Sequence, residues 1–183
     1  MKFSHCLYKF NLAILMFFII LLSSCTQESG DFGSSSSVGW SDYAPVLMKR
    51  IDLEKSIRFD SARTLQRPGK MFFRSNILYV SEKYQGVHVI DNTDPANPKN
   101  IGFLVVPGSI DIAMKRNIMY VDNSVDLVAI DITDIRNPIV SSRVPNTFPE
   151  LQPPDGKTMD PSFAKDARPT ETYIVDWIKK PVK

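Results

Sequence analysis

Gly86-Val87-His88-Val89-Ile90-Asp91-Asn92-Thr93-Asp94-Pro95 carries an apolar strand into a turn, and Asp126-Leu127-Val128-Ala129-Ile130-Asp131-Ile132-Thr133-Asp134 does the same 40 residues later. The match extends outward on both sides. Asn76-Ile77-Leu78-Tyr79-Val80 returns as Asn117-Ile118-Met119-Tyr120-Val121, Pro68-Gly69 as Pro107-Gly108, and Asn97-Pro98 as Asn137-Pro138. In chain order these landmarks are offset by 39, 41, 40 and 40 residues. A steady period near 40 marks solenoids and propellers.

Each unit reads as four short strands rich in β-branched and aromatic residues. The first unit places them at Lys70 to Phe73, Ile77 to Ser81, Val87 to Asp91 and Ile101 to Val106. The second places them at Ile110 to Met114, Ile118 to Asp122, Leu127 to Asp131 and Ile139 to Val144. Arg74-Ser75-Asn76 and Lys115-Arg116-Asn117 are polar hairpin tips whose Asn accepts positive φ at small cost. Val87 to Ile90 and Leu127 to Ile130 are apolar without alternation, so both strands are expected to be covered on both faces, as stacked blades require. The expected fold is therefore all-β: about two antiparallel, four-stranded, propeller-type blades (69–106 and 107–145) in an incomplete ring, after an N-terminal signal helix. Residues 38–68 read as a linker or partial repeat. Residues 146–183 read as a Pro-rich segment with one terminal strand at Thr172 to Trp177.

The two apolar strands and their Asn-Thr-Asp-Pro and Ile-Thr-Asp turns resemble the LVIVD repeat, a propeller-type motif named for an apolar strand ending in Asp. The resemblance covers residues 40 to about 150 and is similar to predicted lipoproteins of Bacteroidota-like bacteria. It implies a propeller, and no settled biochemical activity comes with it. Ile135 departs from the pattern, since proline is expected after Asp134, and a different turn is expected there.

The N-terminus carries its own signal. Lys2 and Lys9 precede an unbroken apolar run of 11 residues, Leu12 to Leu22. Such a run is too short to cross about 30 Å of hydrocarbon as a helix. Leu22-Ser23-Ser24-Cys25 follows, resembling the bacterial lipobox. Cleavage between Ser24 and Cys25 and diacylation of the Cys25 sulfur are expected, which anchor a chain to a membrane without spanning it. Residues 1–24 are then a lipoprotein signal peptide, and residues 25–37 the lipidated Cys and a Ser/Gly-rich tether. Twelve flexible residues reach about 20 Å. Thr26 is not the Asp that retains enterobacterial lipoproteins at the inner membrane, and the expected location is the outer membrane.

Charge and cysteine usage exclude several functions. The chain holds 22 Lys+Arg against 20 Asp+Glu, and loss of Lys2 and Lys9 with the signal brings the balance to neutral. A neutral chain without a basic cluster offers no footprint for nucleic acid. Cys6 leaves with the signal and Cys25 carries lipid, so no thiol nucleophile or Cys-based metal site remains. Asp91, Asp94, Asp131 and Asp134 recur with the repeat and read as Asx-turn acceptors rather than metal ligands, since the Ca-loop spacing fails. His88 is expected in the core or on the surface, since a lone His builds no zinc site. Asp122 and Asp126 read as a polar loop rather than an acid/base couple. No metal site, cofactor or catalytic residue is assigned.

Trp40, Tyr43, Tyr84 and Phe148 form the candidate aromatic contact set, against the commoner role of aromatics in packing. Trp40 and Tyr84 are the contact candidates, with Tyr84 expected in a loop beside Gln85-Gly86. The functional expectation is a lipid-anchored envelope protein that binds a protein or glycan ligand or serves as a scaffold. The alternatives are a propeller-type hydrolase of sugars or lactones and an inactive truncated product. Two blades fall short of the four a ring needs, so a fragment of a longer propeller, or edge-to-edge self-association of exposed strands, is expected.

Overall fold

The computed structural model describes residues 39–181. The expected signal helix, Ser24, Cys25 and the whole of the 25–37 tether lie outside the described residues. Among the described residues the chain is all-β and antiparallel, with one five-residue helix, α1 (Arg50–Glu54), and one 3-10 turn at Pro161–Phe163. None of its helices is long and apolar enough to cross a membrane.

The first repeat forms β3 (Pro68–Arg74), β4 (Ile77–Glu82), β5 (Gly86–Asp91) and β6 (Lys99–Val105). The second forms β7 (Ile112–Lys115), β8 (Ile118–Asn123), β9 (Asp126–Asp131) and β10 (Ile139–Val144). Each set is a meander in which sequence neighbours pair. The first sheet has five strands, not four, because β2 (Arg58–Asp60) from the expected linker adds to the free edge of β6. The rest of that linker is also structured. β1 (Tyr43–Lys49) pairs antiparallel with β11 (Thr172–Lys179), so the start and end of the described chain share a two-stranded sheet.

The repeat is visible to the level of single bonds. β4 and β5 are joined by Lys83-Tyr84-Gln85, β8 and β9 by Ser124-Val125. That one-residue deletion is where the offset changes from 41 to 40. Both fourth strands carry a bulge at the same place, beside Ile101 in β6 and Ser141 in β10. Asp91 Oδ1 accepts from the N–H (2.9 Å) and Oγ1 (2.6 Å) of Thr93, and Asp131 Oδ1 from those of Thr133 at 2.8 and 2.7 Å. Asp94 Oδ1 accepts from Ala96 N, and Asp134 Oδ1 from Arg136 N. These are the Asx-turns expected of the four acids. The turn at Ile135 keeps the same backbone closure without proline, Asn137 N–H to Asp134 O at 3.0 Å as Asn97 N–H to Asp94 O at 3.0 Å. It differs in that Asn137 Nδ2 also donates to Asp134 Oδ2 at 2.6 Å while Ile135 packs on the core.

The hairpin tips show a correction. Ser75 and Asn76 both take positive φ (48° and 62°), as a two-residue type I′ turn needs. In the second hairpin the left-handed residue is Arg116 (φ 55°). Asn117 instead uses its side chain, accepting from Arg74 Nη2 at 2.8 Å and donating to Thr133 at 3.0 Å.

The two large sheets stack face to face. Tyr79, Val87, Val89 and Leu104 of the first sheet meet Ile112, Met119, Val121, Val128 and Ile130 of the second in one apolar core. Phe59 of β2 closes the core's edge by lying over Gly102, where a Cβ would come within 2.0 Å of its ring. As expected, β5 is buried on both faces through Val89. β9 is not: Asp126, Val128 and Ile130 are buried while Leu127, Ala129 and Asp131 are half-open. Its apolar run is covered on one side only, because among the described residues no third large sheet lies against it.

Candidate functional site

The open side of the second sheet forms one wall of a groove of about 740 Å³. Register fixes which side chains reach it. Ala113 and Tyr120 are cross-strand partners, as are Asp122 and Leu127, so these residues share the face opposite the core and line the groove. The opposing wall is Phe148-Pro149-Glu150-Leu151-Gln152-Pro153-Pro154, part of the Pro-rich segment. Prolines have no N–H to leave unpaired and hold an extended chain at low entropic cost. The segment is tied down by Phe148 N–H to Val125 O at 2.9 Å, and by Asp155, which accepts from Ser41 Oγ (3.0 Å) and Asp42 N–H (2.9 Å).

A second apolar cluster supports that wall. Tyr84, Leu151, Ile174 and Trp177 are buried together, with Tyr43, Leu47 and Met159 against them. Tyr84 is in the expected turn and at positive φ (68°), but its ring is buried within this cluster rather than presented as a loop contact. It borders the groove, with Lys83 Nζ 5.0 Å from its ring centroid. Trp40 is exposed and does not line the groove, and Tyr43 is half-buried. Of the candidate aromatics, Phe148 is the one at the groove with an exposed ring. Tyr120, Leu127 and the prolines were missed by sequence reading. The signal that finds them is register, since Tyr120 repeats a core tyrosine on the sheet face turned away from the first sheet.

The acids of the second sheet are each committed. Asp122 receives the N–H groups of Ile110 (2.8 Å) and Asp111 (2.9 Å). Burial pushes its carboxyl up from the ordinary value, against those two bonds. Asp126 is fully buried, and bonds Arg50 at 2.9 Å, Arg143 at 2.7 Å and Asn146 N–H at 3.1 Å. Burial would raise its carboxyl, but the two guanidinium groups and the backbone bond together hold it below the carboxylate range. The two acids thus serve separate turns and do not face one another as a couple.

His88 is fully buried on the first sheet's far face, with Nε2 3.1 Å from Glu82 Oε2 and Nδ1 3.4 Å from Asn100 Nδ2. Glu82 also receives the N–H groups of Gln66 (3.0 Å) and Arg67. Burial alone would raise this carboxyl, and those bonds with His88 bring it below the ordinary value. The pair straps the 61–67 loop over the sheet, and Arg63 caps Phe103 at 4.4 Å from the ring centroid. Both ring nitrogens are occupied, and of the two expected places, core or surface, His88 takes the core.

The site is thus a largely apolar groove on an all-β protein, with Lys83, Asp111, Asp122 and Glu150 as its charged lining residues. Comparison with protein-family models, with curated proteins and with solved structures finds no match for this chain.

Proposed function

We propose that this chain is a lipid-anchored protein of the bacterial cell envelope whose two repeat sheets are propeller-type LVIVD blades and whose role is binding or scaffolding. One observation carries the binding role: a groove of about 740 Å³, largely apolar in its lining, sits on a sheet face whose counterpart in the first repeat is core. Sites of this size with aromatic and proline walls suit an apolar or extended ligand. The groove's acids are engaged in turns and ion pairs, which favours binding over hydrolysis of sugars or lactones.

Two measurements test it. Cys25→Ser is expected to move the protein from the membrane to the soluble fraction and to change its gel mobility; unchanged behaviour removes the anchor. Leu127→Arg fills the groove with a charge. Saturable binding of an envelope protein or glycan preparation by the wild type, lost in Leu127→Arg at unchanged circular dichroism, supports the binding role. Turnover of a polysaccharide or lactone panel overturns it.

A further inference from the structure

The two large sheets stack in one direction. Register assigns Tyr79 to the place of Tyr120, Val87 to that of Leu127 and Leu104 to that of Val144, all on what can be called the leading face. Met71 takes the place of Ile112 and Phe73 that of Met114 on the trailing face. Inside the molecule the leading face of the first sheet packs on the trailing face of the second. The contact is therefore heterologous, and each end of the pair leaves one half of it unused.

Each half keeps an open apolar part: the second sheet's leading face beside the Phe148–Pro154 wall of the groove, and the first sheet's trailing face along β3, since Val80, His88 and Phe103 are already covered. On the second sheet's leading face Tyr120 is 37% and Val144 52% exposed. On the first sheet's trailing face Met71 is 66% and Phe73 60% exposed, beyond the part covered by the 61–67 loop. Polar contacts at the sheet edges also point one way. Lys70 Nζ meets Asp111 Oδ2 at 2.8 Å, and Asp111 holds the place of Lys70 one repeat later. Arg74 meets Asn117, which holds the place of Asn76. Carried one step further, Asp111 meets the Lys70 of an incoming first sheet, and Lys115 meets its Asn76. One edge contact thus pairs opposite charges, with Asp111 shared between its own Lys70 and the incoming one, and the other sets a cation on an amide, as Arg74 and Asn117 do inside.

We infer that a second copy of this chain docks head to tail on the Tyr120 face, presenting its own Met71 and Phe73. This rests on the reading of that face as a binding surface and names the partner. An association of this kind does not use up both ends, so it forms a ring if the rotation closes and a growing chain if it does not.

The test uses the full chain in non-ionic detergent, with light scattering that separates protein mass from micelle mass. Wild type is expected to rise from monomer to dimer and beyond with concentration. Tyr120→Glu and Phe73→Glu are each expected to block one end and to stay monomeric alone, yet to form a dimer and nothing larger when mixed. If Tyr120→Glu unfolds, Val144→Glu on the same face takes its place in the mixing test. A wild type that stays monomeric up to millimolar concentration overturns the inference. So does a dimer that Tyr120→Glu abolishes and Phe73→Glu leaves intact, since that is a symmetric contact. In both cases the groove's ligand binding and its loss in Leu127→Arg remain a separate readout, so the binding role stands or falls independently.

Discussion

Tyr79 and Tyr120 hold the same place in successive repeats, in the second strand of each meander, yet Tyr79 is 6% exposed and Tyr120 37%. Sequence and register give them one environment; stacking order gives them two. Tyr79 is covered by the second sheet, while nothing of sheet type covers Tyr120.

The pair makes a direct test of what stacking contributes. Tyr79→Ala empties part of a close-packed core and is expected to cost about 3 kcal/mol or more in chemical denaturation, as for other buried aromatics. Tyr120→Ala, at the same repeat position, is expected to cost less than about 1 kcal/mol in the monomer. Equal losses would show that the two faces are equally buried in solution.

Phe59 and Gly102 make a second test, on the added fifth strand. A methyl at Gly102 lands in the Phe59 ring, so Gly102→Ala is expected to displace β2 at a cost of about 1–3 kcal/mol. In Phe59→Leu the space is partly free, and the added Gly102→Ala should cost less than it does in wild type. A double-mutant cycle with no coupling would place the ring elsewhere.

Most of the strand framework was legible because the repeat states it twice. The ends of β5, β8 and β10 fall within a residue of where period, turn residues and β-branched content put them. Long-range pairings were not legible. β2 is three residues with no pattern of its own, and it is a strand only because β6 offers an unpaired edge. β1 finds its partner across 130 residues or so, which no local signal encodes. The groove failed to show for a related reason: Leu127 reads as covered and Tyr120 only as a strand residue, and whether a third sheet lies over them is not a property of their own segments. Tyr84 was placed in the right turn, but its ring's direction depends on Trp177 and Ile174 far along the chain.

The paired Asx-turns predict indifference to calcium. Asp91 and Asp131 spend one carboxylate oxygen on the following Thr, so adding calcium or a chelator is expected to leave the melting temperature unchanged. Asp91→Asn retains the acceptor and should be tolerated better than Asp91→Ala. The corresponding changes at Asp131 should rank the same way, because the two turns are congruent. A calcium-dependent rise in melting temperature that Asp91→Asn removes would give these acids a metal.

Asp126 and Asp122, four residues apart, are expected to respond to pH in opposite directions. Asp126 is held below its ordinary value, so its contribution is complete above the usual carboxylate pKa near 4 and is lost as pH falls through the depressed folded value. Removing the charge of this fully buried side chain leaves half-buried Arg143 without a counter-ion and Arg50 with Glu54 alone. Asp126→Asn is therefore expected to cost about 3 kcal/mol at neutral pH. The gap between variant and wild type should close as the solution is acidified. Asp122 is raised by burial, so its contribution is present below the ordinary carboxylate pKa and lost as pH rises through the raised folded value. For Asp122→Asn the difference from wild type should therefore grow toward acid, because only wild type gains by taking up a proton. Denaturant midpoints from pH 3 to 8 read both slopes at once. Parallel slopes for the two variants would mean that the ion cluster around Asp126 does not hold its charge, or that Asp122 is open to water.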